Sequence, residues 1–453
     1  MTIRFLARQI AVCLTASAAC LAAFVASGEK VFAQTTSTTG AFVADAVVPI
    51  NDRTYPDAAL LLIQTAQKSL RICLYQTRYY RDFPGSYSNQ LVDALILARR
   101  RGVDISVIVD SSPWRMQGGH DEENLNVAAR LAREGCHAYL DSPLIQSHQK
   151  IIVVDDRITV VASSNWSHFS LSVNREVGVA VWSADVAKYF TNYFEARIKE
   201  GEPFAMPANA TPYPTPELQI TPLPPGTVKG GISEDRKPLT AEEFASSLKV
   251  PLARQVPLES LSNRDYYPRL HEAISKAARS VDLVQDYALY YFEPPKADTT
   301  PVPGSRPAGV PSLTNMLFED LAAARRRGLP VRAVLNFGVG QDGAARFSGR
   351  DFAMRLSALG VDARRDDPLE NLHAKMLLID DEVIVVGSTN WSYQAVELNN
   401  ECSLLLRSKE LGAHYRKWVD SVVSRSTPVT EPEPRFTPAP SPTAGAANKA
   451  ETE

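Results

Sequence analysis

His148 and Lys150 stand two residues apart, as do His373 and Lys375, and each pair opens the pattern His-x-Lys-x-x-x-x-Asp, closed by Asp155 and Asp380. Seven residues after each Asp a second block begins, Ala162-Ser163-Ser164-Asn165-Trp166-Ser167 in one copy and Gly387-Ser388-Thr389-Asn390-Trp391-Ser392 in the other. A glutamate follows each histidine by 28 positions, Glu176 and Glu401. These residue types suit a phosphate ester. An imidazole nitrogen can attack phosphorus, and a neighbouring ammonium neutralises the phosphoryl oxygens. Serine hydroxyls and asparagine amides are neutral donors to such oxygens. A carboxylate on the far ring nitrogen fixes the imidazole tautomer and supports an imidazolium. One His-x-Lys would mean little. Two copies with matched spacing point to a site that needs both histidines. The other histidines, His120, His137, His168, His271 and His414, fall in no repeated pattern and read as structural or surface residues.

Strands must hold these residues. Ile151–Val154 and Met376–Ile379 are short apolar runs bounded by acidic turns, the signature of a buried strand. Residues two apart on a strand face one side, so each His projects with its Lys. Asp155 and Asp380 lie at odd offsets and open the turns Asp155-Asp156-Arg157 and Asp380-Asp381-Glu382, which makes them turn and framework residues on this reading. Second strands over Ile158–Ala162 and Val383–Val386 return Ser163, Asn165, Ser388 and Asn390 beside their own histidine. Third strands, Val177–Val181 and Cys402–Leu406, start just after Glu176 and Glu401.

The paired motifs resemble the phospholipase D superfamily, whose defining sequence is His-x-Lys-x4-Asp with a downstream Gly-Ser-x-Asn. That motif counts Asp155 and Asp380 with His148, Lys150, His373 and Lys375 as the catalytic set. The resemblance implies a phosphodiesterase that uses no metal and no cofactor. One histidine forms a covalent phosphohistidine while the other protonates the leaving oxygen, and water or another alcohol then releases the phosphate. Carried over, His148 attacks and His373 is the acid. Lys150, Lys375, Asn165 and Asn390 bind phosphate oxygens, and Glu176 and Glu401 orient the histidines. Ala162 departs from the pattern, standing where the superfamily usually has glycine; Gly387 keeps it.

Repetition extends beyond the motifs. Ala98-Arg99-Arg100-Arg101-Gly102 recurs as Ala324-Arg325-Arg326-Arg327-Gly328, Tyr55-Pro56 as Tyr267-Pro268, and Tyr79-Tyr80 as Tyr290-Tyr291. The triple-arginine runs read as cations in a last helical turn, with Gly102 and Gly328 as caps. Each half alternates strand and helix before its motif strands: strand Ser69–Tyr75, helix Ser88–Arg101, strand Ile105–Asp110, helix Asn124–Glu134 in the first. The expected fold is therefore α/β, with two similar α/β/α sandwich domains about a pseudo-twofold axis and the active site at their interface. The domains are placed at 51–201 and 258–425, joined by a Pro-rich linker over 202–257 in which Ala241–Leu248 forms a short helix. An insertion within Glu293–Ser312 falls near the cleft mouth, beside Tyr287, Tyr290, Tyr291 and Phe292. The tail, 426–453, has the composition of a disordered segment.

Arg4 and Arg8, the apolar stretch Ile10–Ala26 and Val31-Phe32-Ala33 read as a signal peptide over 1–33, which places the mature protein in the periplasm or outside the cell. The formal charge is −3, and loss of Arg4, Arg8, Lys30 and Glu29 leaves about −5. A mildly acidic chain lacks the footprint of a strong nucleic-acid binder. Cys73, Cys136 and Cys402 remain, an odd number without disulfide-framework or zinc spacing. Three functions follow. The first is an exported enzyme hydrolysing the distal phosphodiester of phospholipids to phosphatidic acid and a free head group, with transfer to another alcohol open to the same intermediate. The second is a nuclease cleaving DNA or RNA, because Asn-Trp-Ser after each Ser-x resembles the small bacterial nucleases. The third is a non-catalytic envelope binding protein, which two intact motifs disfavour. The partner is thus a phospholipid at a membrane surface or, alternatively, a nucleic acid. Both motifs on one chain fit a monomer.

Overall fold

In a computed structural model of the chain, the described residues are 40–111, 120–205, 237–291, 312–337 and 349–429. The expected signal segment, most of the Pro-rich linker, the insertion and nearly all of the tail lie outside them. No helix among the described residues is long and apolar enough to cross a membrane.

The first half runs β1 (Ala41–Pro49), α1 (Thr54–Thr65), β2 (Ser69–Leu74), α2 (Tyr87–Arg100), β3 (Asp104–Val109), α3 (His120–Arg133), β4 (His137–Leu140), β5 (Lys150–Val154), β6 (Ile158–Ala162), α4 (His168–Ser172), β7 (Gly178–Trp182), α5 (Ala184–Glu200) and β8 (Glu202–Pro203). After α6 (Ala241–Leu248) the second half repeats the order: β9 (Ala253–Ser260), α7 (Tyr266–Ser275), β10 (Val281–Gln285), α8 (Leu313–Arg326), β11 (Val331–Leu335), α9 (Arg350–Ala358), β12 (Asp362–Arg365), β13 (Lys375–Ile379), β14 (Val383–Gly387), β15 (Ser403–Arg407), α10 (Lys409–Arg425) and β16 (Thr427–Pro428). Serines cap four helices: Ser86, Ser183, Ser312 and Ser408 accept backbone N–H bonds at the starts of α2, α5, α8 and α10. Thr240 and Glu243 form a reciprocal capping box on α6.

The strands join in one 16-stranded sheet, ordered β16-β12-β11-β10-β13-β14-β15-β9-β1-β7-β6-β5-β2-β3-β4-β8. The order is a palindrome about the β9–β1 junction, so the mixed α/β fold carries the expected pseudo-symmetry. The junction itself was not expected. β1 precedes the first domain as drawn from sequence, and β9 starts inside the stretch read as linker. Both belong to the sheet, where they pair antiparallel from Ala41↔Glu259 to Val47↔Ala253. β1 and β9 each also pair with the last motif strand of their own half, β7 and β15. Thr427 and Pro428, at the start of the expected tail, close the far edge against Arg365 and Arg364.

Two core clusters are private to the halves and a third is shared. One, under α1, α2, α3 and α6, holds Leu62, Leu95 and Trp166; its counterpart under α7, α8 and α9 holds Leu270, Leu321 and Trp391. The shared cluster gathers Val161, Val179 and Phe190 with Val386, Leu404 and Tyr415. Burial of apolar surface between the halves fixes their mutual pose. Polar stitches sharpen it: Tyr415 Oη donates to the Gly178 carbonyl at 3.1 Å, and Arg197 Nη1 to Asn400 Oδ1 at 2.5 Å.

The arginine runs do structural work. Arg101 Nη2 donates to the carbonyls of Ile63 and Gln64 at the end of α1, and Arg327 Nη2 to those of Ile274 and Ala277 at and just past the end of α7. Gly102 and Gly328 adopt φ of +93° and +88°, the left-handed turn that favours glycine. Tyr290 packs at the strand end, edge-on to Phe318 with Arg355 over its ring. Cys73, Cys136 and Cys402 are buried free thiols.

Candidate active site

Each motif histidine sits just ahead of its strand and is tied to the opposite half. His148 N–H donates to the Asn400 carbonyl at 2.9 Å, and His373 N–H to the Arg175 carbonyl at 3.0 Å. Parallel bridges Ser147↔Asn400 and Arg175↔Leu372 flank these bonds. The loop before each His is braced by a buried aspartate: the backbone N–H of Ser147 donates to Asp141, and that of Leu372 to Asp366.

This weave exchanges the glutamates. His148 Nδ1 lies 2.9 Å from Glu401, and His373 Nδ1 lies 3.0 Å from Glu176. Each histidine is therefore oriented by the glutamate of the other copy, a choice that the spacing of 28 within each copy leaves open. Asparagines hold both carboxylates, Asn174 Nδ2 donating to Glu176 and Asn399 Nδ2 to Glu401. With Nδ1 engaged, Nε2 of each ring is the nitrogen left for chemistry.

Ser163 and Ser388 require a correction. They were expected to bind phosphate oxygens beside their own histidines. Each hydroxyl is fully buried and donates at 2.5 Å to a glutamate, Ser163 to Glu176 and Ser388 to Glu401. A hydroxyl has one proton, and here it is spent on a carboxylate. Asp155 and Asp380 also leave the catalytic set. They close the far end of the motif strands with φ of +52° and +56°, and their carboxylates accept backbone N–H bonds, Asp155 from Gln67, Lys68 and Ser69, and Asp380 from Ala278, Arg279 and Ser280. They are framework residues, as their odd offset implied.

Lys150 and Lys375 are buried, and each Nζ donates to the main-chain carbonyl of its own motif histidine. Asn165 Oδ1 and Asn390 Oδ1 are buried and lack a hydrogen-bond partner in both halves. Both atoms are acceptors, so they await a donor and cannot take a phosphate oxygen; Asn165 Nδ2, the group that can, already donates to Gln76 Oε1 at 3.4 Å. The tryptophans of Asn-Trp-Ser are structural: the indole N–H of Trp166 donates to Tyr55 Oη at 3.1 Å and that of Trp391 to Tyr266 Oη at 3.0 Å. The structural equivalent of Tyr55 is thus Tyr266, and the sequence match to Tyr267 was one residue off.

Ala162 has a compensation. It pairs with Gly178, as Gly387 pairs with Ser403. A Cβ at Gly178 would lie 2.9 Å from the Ala162 methyl, and one at Gly387 would lie 2.3 Å from Ser403 Oγ. Each pair has room for one side chain, placed on opposite strands in the two halves.

The electrostatics differ between halves. Burial, then the Lys150 and Lys375 cations, holds His148 well below the ordinary imidazole range. Burial pushes its partner Glu401 up to about 7, against the pull of Lys150. Glu176 goes the other way: burial alone would raise it, but His373, Lys375 and Ser163 outweigh that and hold it low. One residue that sequence reading missed contributes. Asp286, just past β10, accepts from Lys375 Nζ at 2.9 Å and lies 3.7 Å from His373 Nε2. Among the described residues no group of three or more His, Cys, Asp or Glu is placed to hold a metal ion.

A family model described as "Cardiolipin synthase, PLD-like domain" matches residues 60–198 and 270–423, both halves of the chain. Cardiolipin synthase A of Shigella dysenteriae and that of Escherichia coli O157:H7 are each 25% identical over 385 residues, 80% of this chain and 66% of theirs. The chain thus spans just under two thirds of the length of these relatives. The crystal structure of phosphatidylserine synthase from Haemophilus influenzae superposes with a TM-score of 0.59 at 12% identity, covering 86% of this chain and 89% of that one, a likeness of fold.

Proposed function

The chain belongs to the family of phospholipase D-like domains described for cardiolipin synthase, and from that premise we propose that it transfers the phosphatidyl group of a phospholipid through a phosphohistidine. The observation that carries the reading is the exchanged His–Glu pairing, which leaves two Nε2 atoms for one phosphodiester. His148 is the nucleophile: a neutral imidazole whose Nδ1–H donates to Glu401 keeps a lone pair on Nε2. His373, backed by the ionised Glu176, is the acid. In the first step the His148 Nε2–P bond forms, the bond from phosphorus to the head-group oxygen breaks, and the His373 proton passes to that oxygen. In the second an acceptor hydroxyl attacks phosphorus, its proton returns to His373, and the N–P bond breaks. An alcohol acceptor gives a new phosphatidyl ester, and water gives phosphatidic acid. The names of the relatives support the alcohol. Lys150, Lys375 and the amide nitrogens of Asn165 and Asn390 bind the phosphoryl oxygens.

The names of the relatives favour a lipid over the nucleic acid of the nuclease reading; the Trp of each Asn-Trp-Ser is an internal anchor and bears on neither substrate. Export of a chain processed before Gln34 remains part of the proposal, and N-terminal sequencing of the secreted protein checks it. The deciding experiment gives purified protein phosphatidylglycerol vesicles, phosphatidylcholine vesicles with added glycerol, and single-stranded DNA, with His148→Ala as control, and identifies products by mass spectrometry. New phosphatidyl esters, formed in EDTA and absent in the variant, are expected. Phosphatidic acid alone would make the enzyme a hydrolase, and DNA cleavage alone would overturn the lipid reading.

A further inference from the structure

The loops that end on the two histidines hang from matched frames that differ in one residue. Leu74 pairs with Lys150 and Gln285 with Lys375, so the residues that follow correspond, Tyr75 to Asp286. The carbonyls of Leu74 and Gln285 accept the backbone N–H groups of Asp110 and Asn336, each just past its strand, β3 or β11. Asp141 and Asp366 correspond as well. Their N–H groups donate to the carbonyls of Val109 and Leu335. One carboxylate oxygen of each accepts from the residue after that frame position, Ser111 at 2.6 Å and Phe337 at 3.0 Å. The other accepts from the residue before the histidine, Ser147 at 3.1 Å and Leu372 at 3.2 Å.

Asp110 and Asn336 break the match. Asn336 Nδ2 donates to the Leu372 carbonyl at 2.9 Å, through an amide that is neutral at any working pH. Asp110 Oδ1 instead accepts the Ser147 N–H at 2.9 Å, so two carboxyls, 0% and 2% exposed, converge on one donor. They also hydrogen-bond each other, which needs a proton on one of them. Burial first, and then Asp110, push Asp141 up to about 8. Burial takes Asp366, opposed by its backbone donors and Arg365, only to about 6. The shared proton belongs to the pair rather than to either residue. Among the described residues around it, Asn124 on α3 is neutral and holds the Asp110 carbonyl. Cys73 on β2 is a thiol that burial pushes up to about 12. Arg197 on α5 binds Asn400 and Glu200, and Glu202 on β8 lies opposite Leu140. Below about 8 the proton stays and Ser147 is clamped. As pH rises through that value the proton leaves, and two buried anions repel. The Ser147↔Asn400 bridge that seats His148 then slackens.

We propose that Asp110 and Asp141 are a positioning pair that holds the His148 loop through one shared proton, a dependence that the His373 loop lacks. The role in turnover rests on the phosphohistidine reading above; the clamp itself does not. Hydrogen exchange of the full-length protein is followed by mass spectrometry over peptides covering 142–150 and 367–375, at pH 7 and pH 9. Each rate is divided by that of the unfolded chain at the same pH. Protection of the first loop should fall about 10-fold or more, the scale of one hydrogen bond to a charged group. The second loop, built on Asn336, should not change. Asp110→Asn, whose amide can accept from Ser147 and donate to Asp141, should hold the first loop steady over the same interval. In that variant the ratio of kcat/KM at pH 9 to that at pH 7 should rise by a similar factor for bis(p-nitrophenyl) phosphate, whose leaving group needs little help from an acid. Loops that lose protection together, a first loop that keeps it, or a loss that survives Asp110→Asn overturns the clamp. The expected exchange with an unchanged rate ratio in the variant overturns the positioning role. The expected exchange with no turnover of this substrate or of a phospholipid sinks the phosphohistidine reading, and the positioning role with it, and keeps the clamp.

Discussion

At the scale of single residues, the two halves share a constellation and divide its work. Glu401, raised to about 7 by burial, is ionised above that pH and protonated below it. Only the ionised form accepts the Nδ1–H of His148 and leaves the attacking lone pair on Nε2. The acid limb of kcat/KM should therefore fall near pH 7, well above the ordinary carboxylate range. Glu401→Gln should abolish that limb and lower kcat roughly 10²–10⁴-fold, the scale for losing the group that holds a catalytic imidazole. A pH–rate series on both proteins checks this, and an unchanged limb in the variant would assign it to another group. The histidines, lysines and asparagines were legible because they are duplicated. Asp286 was not, because repetition reveals what two copies share, and its counterpart is Tyr75. The signal was present only as a mismatch at the first residue after matched strands.

At the scale of elements, the motif strands were legible from their apolar runs, and most ends agree with the structure within a residue or two. β1 and β9 were missed for a physical reason. They lie outside the stretch that alternates strand and helix, and Ala253–Ser260 alternates exposed and buried residues next to a Pro-rich segment, which reads as linker when its partner strand is unknown. Asp155 shows how one polar residue anchors an element. Its carboxylate gathers three consecutive backbone N–H groups between α1 and β2, and removing it leaves those donors without their acceptor. Asp155→Ala should cost about 1–3 kcal/mol of stability by denaturant unfolding, with little change in kcat for the folded fraction. A large loss of kcat at intact stability would return Asp155 to the catalytic set.

At the scale of the molecule, the exchange of Glu176 and Glu401 makes each half depend on the other for the orientation of its histidine. A sequence cannot show this, since a glutamate 28 positions after each histidine is equally consistent with pairing inside a copy. The exchange follows from the bridges at Ser147 and Arg175, which exist only once the halves dock. Glu176→Gln should therefore impair His373, the acid in the proposed mechanism, and spare substrates with a good leaving group. Turnover of bis(p-nitrophenyl) phosphate should fall at least tenfold less than that of a phospholipid. Equal losses would mean that Glu176 serves His148 instead. The most direct test is to quench the enzyme during turnover of labelled phospholipid and map the adduct by peptide mass spectrometry. A phosphatidyl group on His148, absent in His148→Ala, is the predicted result. An adduct on His373, or turnover with no adduct on either histidine, would contradict it.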